Sequence, residues 1–423
     1  MKQLQCDVLV IGAGPAGLAA AYEARRTGAA NVVIVERNDE AGGILPQCIH
    51  NGFGVRALGA DLTGPEYAYR WIDRARQEGV GILSRTMVLG LEAQRAVVAN
   101  PREGLVDIMP RAVVLCMGCR ERPRGALAIP GERPAGVYTA GTAQRLVNME
   151  GYMPGSRYVI LGSGDIGMIM ARRLTLEGAE VAEMAEILPY VSGLRRNLVQ
   201  CIRDFDIPLS LCTTVTNVYG RDRVEAVELS TVDERWRPVP GSQRRVPCDT
   251  LLLSVGLIPE NELSRVAGVA IDPVTGGPFV DERFATSVPG IFAAGNVVHV
   301  YDLVDDVTES ALAAGRSAAR HAMGLDGGPR SEIELAAGDN VRHVVPHRLD
   351  PGSLEQGEVL LHLRVRRPIE AATRIEVWAD DHRLLSRRLR YVRPAEMVTI
   401  ALQEQHRAML EGARRLTIHA QEA

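Results

Sequence analysis

The chain opens on a short apolar run, Cys6-Asp-Val-Leu-Val-Ile11, which breaks at a glycine-rich turn and resumes as the alanine-rich stretch Leu18–Arg26. The run reads as a short strand and the stretch after the turn as a helix. Asn31–Glu36 is a second β-branched run. Strand, glycine turn, helix and strand in this order make one βαβ unit of a parallel sheet. The same order returns at Tyr158–Leu161, a glycine turn over Gly162–Gly167, a helix to about Glu177 and a strand from Glu180 to Glu186. The two units agree only at their glycine and acid positions, so the architecture is repeated without being a short-period solenoid.

Further along, Thr250–Val255 is an apolar strand ending in Gly256, and Gly290–Asn296 is another ending in a turn. The Gly-, Pro- and polar-rich stretch Gly324–Pro329 reads as a linker. Beyond it the pattern changes to alternation. Val359–Val365, Arg374–Ala379, Leu384–Tyr391 and Met397–Leu402 are predicted as strands of a small β-rich C-terminal domain.

Composition adds bounds to this picture. With 423 residues, 46% hydrophobic and 24% charged, the chain is long enough for about two or three domains. A net charge of −4 with dispersed Lys and Arg gives no footprint for nucleic acid. The longest apolar stretch near the start, Val8–Tyr22, is interrupted by Gly and Pro and preceded only by Lys2, so it is neither a signal peptide nor a bilayer span. Seven cysteines, an odd number, fit a reducing compartment and suggest the cytoplasm, and none of their spacings matches an iron–sulfur pattern.

The two glycine loops carry the chemistry. In Gly12-Ala-Gly14-Pro15-Ala16-Gly17 the first glycine permits the tight turn, the second lets a pyrophosphate approach the backbone, and the third lets helix and strand pack closely. The helix N-terminus then offers free N–H groups and partial positive charge to phosphates. Gly162-Ser-Gly164-Asp165-Ile166-Gly167 repeats the arrangement. An acid at the end of each second strand accepts ribose hydroxyls: Glu36 stands 24 residues after Gly12, and Glu186 24 residues after Gly162, near the roughly 20 expected. One such loop is weak evidence, whereas two in matching context predict two dinucleotide sites. At the second site the Glu186 carboxylate would repel a 2′-phosphate, and Ile187 follows where an Arg could have received one, which favours NAD(H) over NADP(H).

With these motifs in order, the chain resembles the two-dinucleotide-domain flavoprotein disulfide reductases over about residues 4–320. The resemblance rests on the first loop, Met117-Gly118 before Ile129-Pro-Gly131, the second loop, Gly256-Leu-Ile-Pro259, and Thr286–Asn296. It implies an α/β fold with two Rossmann-like domains, the second inserted in the first: FAD in residues 1–117 and 250–325 and NAD(H) in 118–249; the β-rich domain read from the alternation follows over 330–423. FAD would be held by Gly12, Gly14, Pro15, Ala16, Gly17, Glu36, Arg37, Gly43, Ile44, Val88, Gly118, Gly295 and Asn296. NAD(H) would be held by Gly162, Gly164, Asp165, Ile166, Gly167, Glu186 and Gly256.

A narrower resemblance lies in residues 42–54 (GGILPQCIHNGFG), 117–122 (MGCRER) and 141–148 (GTAQRLVN). These are similar to a bacterial subgroup found beside an FAD-dependent glycerol-3-phosphate dehydrogenase and a small Cys-rich protein. Its relatives include flavoprotein subunits of proline dehydrogenase, opine oxidase and hydrogen cyanide synthase complexes. Two departures from the wider family matter. The places of the redox dithiol, counted from Gly43, hold Leu45 and His50, and the family's ribityl aspartate is Asn296, which hydrogen-bonds without charge.

Other candidates have ordinary readings beside functional ones. Cys116-Met-Gly-Cys119 closes a strand, whereas reactive CxxC pairs open a helix, so packing outweighs redox chemistry. Cys48 and His50 fall in the segment that, by the resemblance, passes the flavin ring. They are either a packed thiol and a bonded imidazole or, for His50, a group that tunes or protonates the reduced flavin. Asp302, Asp305, Asp306 and Glu309 suit the start of a helix, and the remaining histidines lack metal-ligand spacing.

The expected function is hydride transfer between NAD(H) and bound FAD, with the protein stacking the rings and setting the flavin's potential. Lacking a dithiol, the chain needs a second redox partner in a hetero-oligomer. A dehydrogenase of glycerol 3-phosphate is expected, with the C-terminal domain as docking surface. The alternatives are the flavin subunit of an amine or amino-acid (proline, opine) dehydrogenase complex, and a non-catalytic assembly subunit, whose expected degraded glycine loops are not found here.

Overall fold

The computed structural model describes residues 2–325 and 331–423. Two compact units result, one formed by residues 1–119 and 259–423 and one by 120–258. The boundary expected at 249/250 therefore falls at 258/259. Strand Thr250–Leu253 belongs to the inserted unit because it pairs in parallel with Arg157–Leu161 (Tyr158 opposite Thr250, Leu161 opposite Leu253). Of the expected linker, Gly324 and Leu325 end the preceding helix in a turn, and 326–329 lie outside the described residues.

In the first unit a parallel sheet runs Gly81–Leu83, Val32–Val35, Lys2–Ile11 and Gly104–Leu115. The 12-residue strand Gly104–Leu115 is shared. Its first half pairs antiparallel with Arg95–Asn100, which continues to Met87–Glu92, and its last residues pair with Ile291–Ala293. Registers Ile11–Val35, Ile11–Leu115 and Ala293–Leu115 bring four strands to an end at one edge. The segments that follow, at Gly12, Glu36, Cys116 and Ala294, thus emerge together, which is where open α/β sheets bind ligands.

Helix Pro15–Thr27 starts where proline needs no N–H partner, ends at Gly28 in the left-handed conformation, and buries its alanines. Against it lies helix Val304–Ala322, whose Gly315 has no room for a side chain: a Cβ would sit 2.1 Å from the Ala20 carbonyl oxygen.

The same unit contains the C-terminal domain, two sheets around their own apolar core. One is ordered Arg348–Leu349, Ile333–Ala337, Arg415–Glu422, Thr373–Ala379, His382–Leu389, and the other Val341–Val345, Val359–Val365, Val398–Leu402. This domain is tied to the rest of its unit. Arg364 donates to the Val300 carbonyl and to Asp302, Asp302 accepts from Met397 N, and Glu282 accepts from Ser353. Part of the surface expected for docking is therefore used within the chain.

The inserted unit has a five-stranded parallel sheet ordered Val137–Thr139, Thr250–Leu253, Arg157–Leu161, Glu180–Ala185, Leu209–Ser210, and an antiparallel sheet of Thr213–Tyr219, Ala226–Thr231 and Arg244–Pro247. Helix Asp165–Leu176 follows its glycine loop. No helix among the described residues is long and apolar enough to cross a membrane.

Candidate nucleotide sites

The first loop is shaped by backbone contact. Gly12 has φ +103°, and a Cβ there would lie 2.5 Å from the Cys116 carbonyl oxygen. At Gly17 it would lie 1.8 Å from the Gly12 oxygen. Gly14 differs: its φ of −74° suits any residue, and a Cβ would meet only Gly43 Cα at 3.8 Å. The protein itself thus requires the outer two glycines and leaves the middle one bare, as close approach of a phosphate demands. Pro15 opens the helix, and the first-turn amides of Ala16 and Gly17 have no intrahelical acceptor.

Around this loop the sheet edge collects the other expected residues. Glu36 is 5% exposed; its Oε2 accepts from Ala13 N at 2.8 Å and its Oε1 from Asn38 N at 2.8 Å. Gly43, at φ +60°, packs on Gly14, and Gly295, at φ +73°, packs on Ala16. Asn296 Oδ1 accepts from Tyr301 N at 3.1 Å, and its amide donates to Cys119 Sγ at 3.5 Å. Ile44 is exposed, Arg37 is exposed beyond the strand end, and Gly118, at φ +70°, has open space around it. Val88 is buried, in the strand that follows Thr86, whose N–H donates to the Glu36 carbonyl.

His50 and Cys48 each lie against a nearby backbone carbonyl. The His50 Nδ1 is 2.9 Å from the Asn51 carbonyl, and its ring lies against Phe53 with centroids 5.0 Å apart. Burial pushes the Cys48 thiol up to about 12, so it is protonated at neutral pH, and its Sγ is 3.5 Å from the Ile44 carbonyl. Leu45, at one vacant dithiol place, is buried. Cys116 is a buried thiol, raised by desolvation, and neither it nor Cys119 is joined in a disulfide.

The second loop repeats the first in different residues. A Cβ on Gly162 would lie 2.1 Å from the Ser254 oxygen, and one on Gly167 would lie 2.7 Å from Ser254 Cβ. Ser254 thus stands where Cys116 stands in the first unit, and its Oγ accepts from Gly167 N at 3.0 Å. Sequence reasoning missed this serine, whose only signal is its place directly after an apolar strand. Glu186, 3% exposed, accepts from Ser163 N at 2.9 Å and Leu188 N at 3.0 Å. Asp165 opens the helix, and its Oδ1 accepts from Leu194 N and Asn197 Nδ2. Ile166 follows it half-buried, and Gly256, at φ +96°, is exposed.

Sequence reasoning also missed a buried histidine cluster in the first unit. His299, 1% exposed, lies with its ring centroid 4.1 Å from Tyr301, 5.7 Å from His343 and 6.0 Å from His362. Both ring nitrogens of His299 and of His343 lack a hydrogen-bond partner, as does the Tyr301 hydroxyl. Among the described residues, no group of three His, Cys, Asp or Glu side chains is placed to hold a metal ion.

Comparison with known proteins agrees with this geometry. Residues 6–318 match the family model of the pyridine nucleotide-disulphide oxidoreductases. An opine oxidase subunit of Agrobacterium tumefaciens (strain Ach5) is 29% identical over 69% of this chain and 61% of its own length. The HcnB subunit of hydrogen cyanide synthase from Pseudomonas aeruginosa is 25% identical over 74% of this chain and 69% of its own. The chain therefore spans about three fifths of the opine oxidase subunit that it matches. Among solved structures, T. acidophilum thioredoxin reductase superposes with a TM-score of 0.62 at 24% identity, covering 75% of this chain and 99% of that one. L-proline dehydrogenase from P. horikoshii superposes at 0.53 and 19%, covering 78% of this chain and 57% of that one. With its two glycine loops and the match over residues 6–318, the chain belongs to the pyridine nucleotide-disulphide oxidoreductase family, FAD-dependent oxidoreductases that bind FAD and NAD(P)H.

Proposed function

We propose that this chain is the flavin- and NAD(H)-binding subunit of a complex that oxidises an amine or amino acid, with FAD in the first unit and NAD(H) in the second. The observation that carries the reading is the paired construction of the loops. In each, a buried carboxylate accepts the N–H of the loop's second residue, Ala13 to Glu36 and Ser163 to Glu186; Gly14 is open above the first loop, whereas a Cβ on Gly164 would lie 3.2 Å from Ser254 Oγ. Bound FAD supplies a ring that accepts hydride at N5. The chain's own residues would bind and orient: the helix N-termini would face the pyrophosphates, Glu36 would hold the ribose hydroxyls of the flavin dinucleotide and Glu186 those of NAD(H) as far as its acceptor positions are open, and the Asn296 amide would offer a neutral hydrogen bond at the sheet edge.

The amine class is favoured over glycerol 3-phosphate because two relatives are named for such substrates. One is opine oxidase, and the other is the alpha chain of sarcosine oxidase from Corynebacterium sp. (strain U-96), 30% identical over 60% of this chain. Glycerol 3-phosphate rests on the short strings at 42–54, 117–122 and 141–148 and, more loosely, on the β-rich tail. A second redox partner remains part of the reading, since Leu45 and His50 supply no dithiol.

Anaerobic titration with NADH, followed at the flavin absorption band, tests the hydride path. Bleaching at stoichiometric NADH is expected, and an unchanged spectrum would overturn it. Bleaching of the purified complex by a secondary amino acid and not by glycerol 3-phosphate is expected for the substrate class, and the reverse result would restore the alternative.

A further inference from the structure

The two ribose-binding carboxylates differ in how many of their acceptor positions the chain already fills. A carboxylate has about four lone-pair positions. Glu36 spends two, on Ala13 N and Asn38 N. Two are left, enough for both hydroxyls of one ribose. Glu186 takes four donors, three of them on one oxygen. Its Oε2 accepts from Ser163 N at 2.9 Å, from Ser163 Oγ at 2.5 Å and from Ser192 Oγ at 2.8 Å, and its Oε1 accepts from Leu188 N at 3.0 Å. The serines also hold each other: Ser192 N donates to Ser163 Oγ at 2.9 Å, and their hydroxyl oxygens are 3.2 Å apart.

The two additional donors are both hydroxyls, and both are absent from the first site. Ser163 occupies the position that Ala13 has in the first loop, and Ser192 reaches in from the segment after the second strand. We propose that Ser163 and Ser192 are specificity-determining residues of the second nucleotide site, whose hydroxyls saturate Oε2 of Glu186 and leave an adenosine ribose one acceptor position where Glu36 leaves two. A dinucleotide then gains its second ribose contact only by displacing a serine hydroxyl, so the wild-type site reads the ribose less fully than the first site does. This inference rests on the assignment of NAD(H) to the second loop.

The double variant Ser163→Ala/Ser192→Ala leaves Glu186 with two backbone donors, the pattern of Glu36. Alanine already fits the equivalent place in the first loop, and Ser192→Ala alone leaves the loop untouched, so the pair of variants keeps the test independent of any one fold defect. Calorimetric titration of the FAD-loaded full chain uses three probes: NAD+, NADP+ and the 2′-deoxyadenosine analogue of NAD+. Each freed acceptor position is expected to tighten NAD+ by about threefold to tenfold, the worth of one net hydrogen bond. The gain should be smaller for the deoxy analogue and absent for NADP+, whose phosphate meets the carboxylate. Wild type that binds NAD+ with variants that bind it equally or more weakly would overturn the serine role while leaving the site assignment standing. Variants that bind NAD+ where wild type does not would support it. Failure of all forms to bind any probe would overturn the site assignment and the inference together.

Discussion

The middle glycine of the first loop gives the sharpest test of what the loop is for. Gly14→Ala and Gly17→Ala add the same methyl group three residues apart, yet the structure assigns them opposite consequences. At position 17 the methyl would stand 1.8 Å from the Gly12 carbonyl oxygen and 3.3 Å from Val10 Cγ1. Contact distances between non-bonded heavy atoms are about 3.5 Å or more, so strand and helix must separate, at a cost of about 1–3 kcal/mol or more. At position 14 the methyl meets nothing nearer than 3.8 Å, and the backbone conformation is ordinary. The apoprotein should therefore keep its stability within roughly 0.5 kcal/mol. Flavin should suffer instead. A methyl group where the pyrophosphate approaches should cost about 1–3 kcal/mol of binding, which weakens FAD by about 5- to 150-fold. Thermal unfolding of the apoproteins and fluorescence titration with FAD separate the two effects. A Gly14→Ala protein with wild-type FAD affinity would refute a pyrophosphate at this loop. One as unstable as Gly17→Ala would show that the middle glycine serves packing.

Three further outcomes follow from groups outside the glycine loops. Arg364→Ala should destabilise the first unit by about 3–5 kcal/mol, because it takes the cation from the little-exposed Asp302 carboxylate, and denaturant unfolding measures it. His343 and His362 are held down to about 4 by burial, and His299 further, so all three favour the neutral form when folded. Their contribution is present above about pH 6.5 and is lost as pH falls from there toward 4, by up to about 3 kcal/mol for each of the first two. Unfolding midpoints recorded between pH 4 and 8 should show this loss, and His299→Phe should remove only the His299 share of it; no loss between about pH 6.5 and 4 in the wild type would count against the cluster. Cys48→Ala should leave NADH-dependent dye reduction within about twofold of wild type, since a protonated thiol is a poor nucleophile. A tenfold loss would return Cys48 to the chemistry.

The nucleotide frames were legible because strand, glycine turn and helix are local signals, and the tail strands because their alternation is. Four features were not. The strands at 87–115 combine alternation with a shared 12-residue strand, whose two partners on one side come from residues 95–100 and 291–293. The sequence alone sets the return to the first unit at Thr250, because an apolar strand gives no sign of which sheet receives it. His299, His343 and His362 looked scattered, and only the docking of the C-terminal strands beside the loop after Asn296 brings them together. The same applies to Ser192, whose contact with Glu186 depends on the path of an irregular segment.

The grip of Arg364 on Val300 and Asp302 has a practical consequence for dissecting the protein. A fragment cut after the long helix at residue 322 would have the length of a thioredoxin reductase, yet it would carry an aspartate without its cation and an exposed histidine-tyrosine face next to the turn that presents Asn296. Swapping tails between relatives meets the same difficulty, since a replacement must bring its own cation to residues 300–302. Inheritance of the tail and of that turn should therefore be joint, and engineering should treat them as one part.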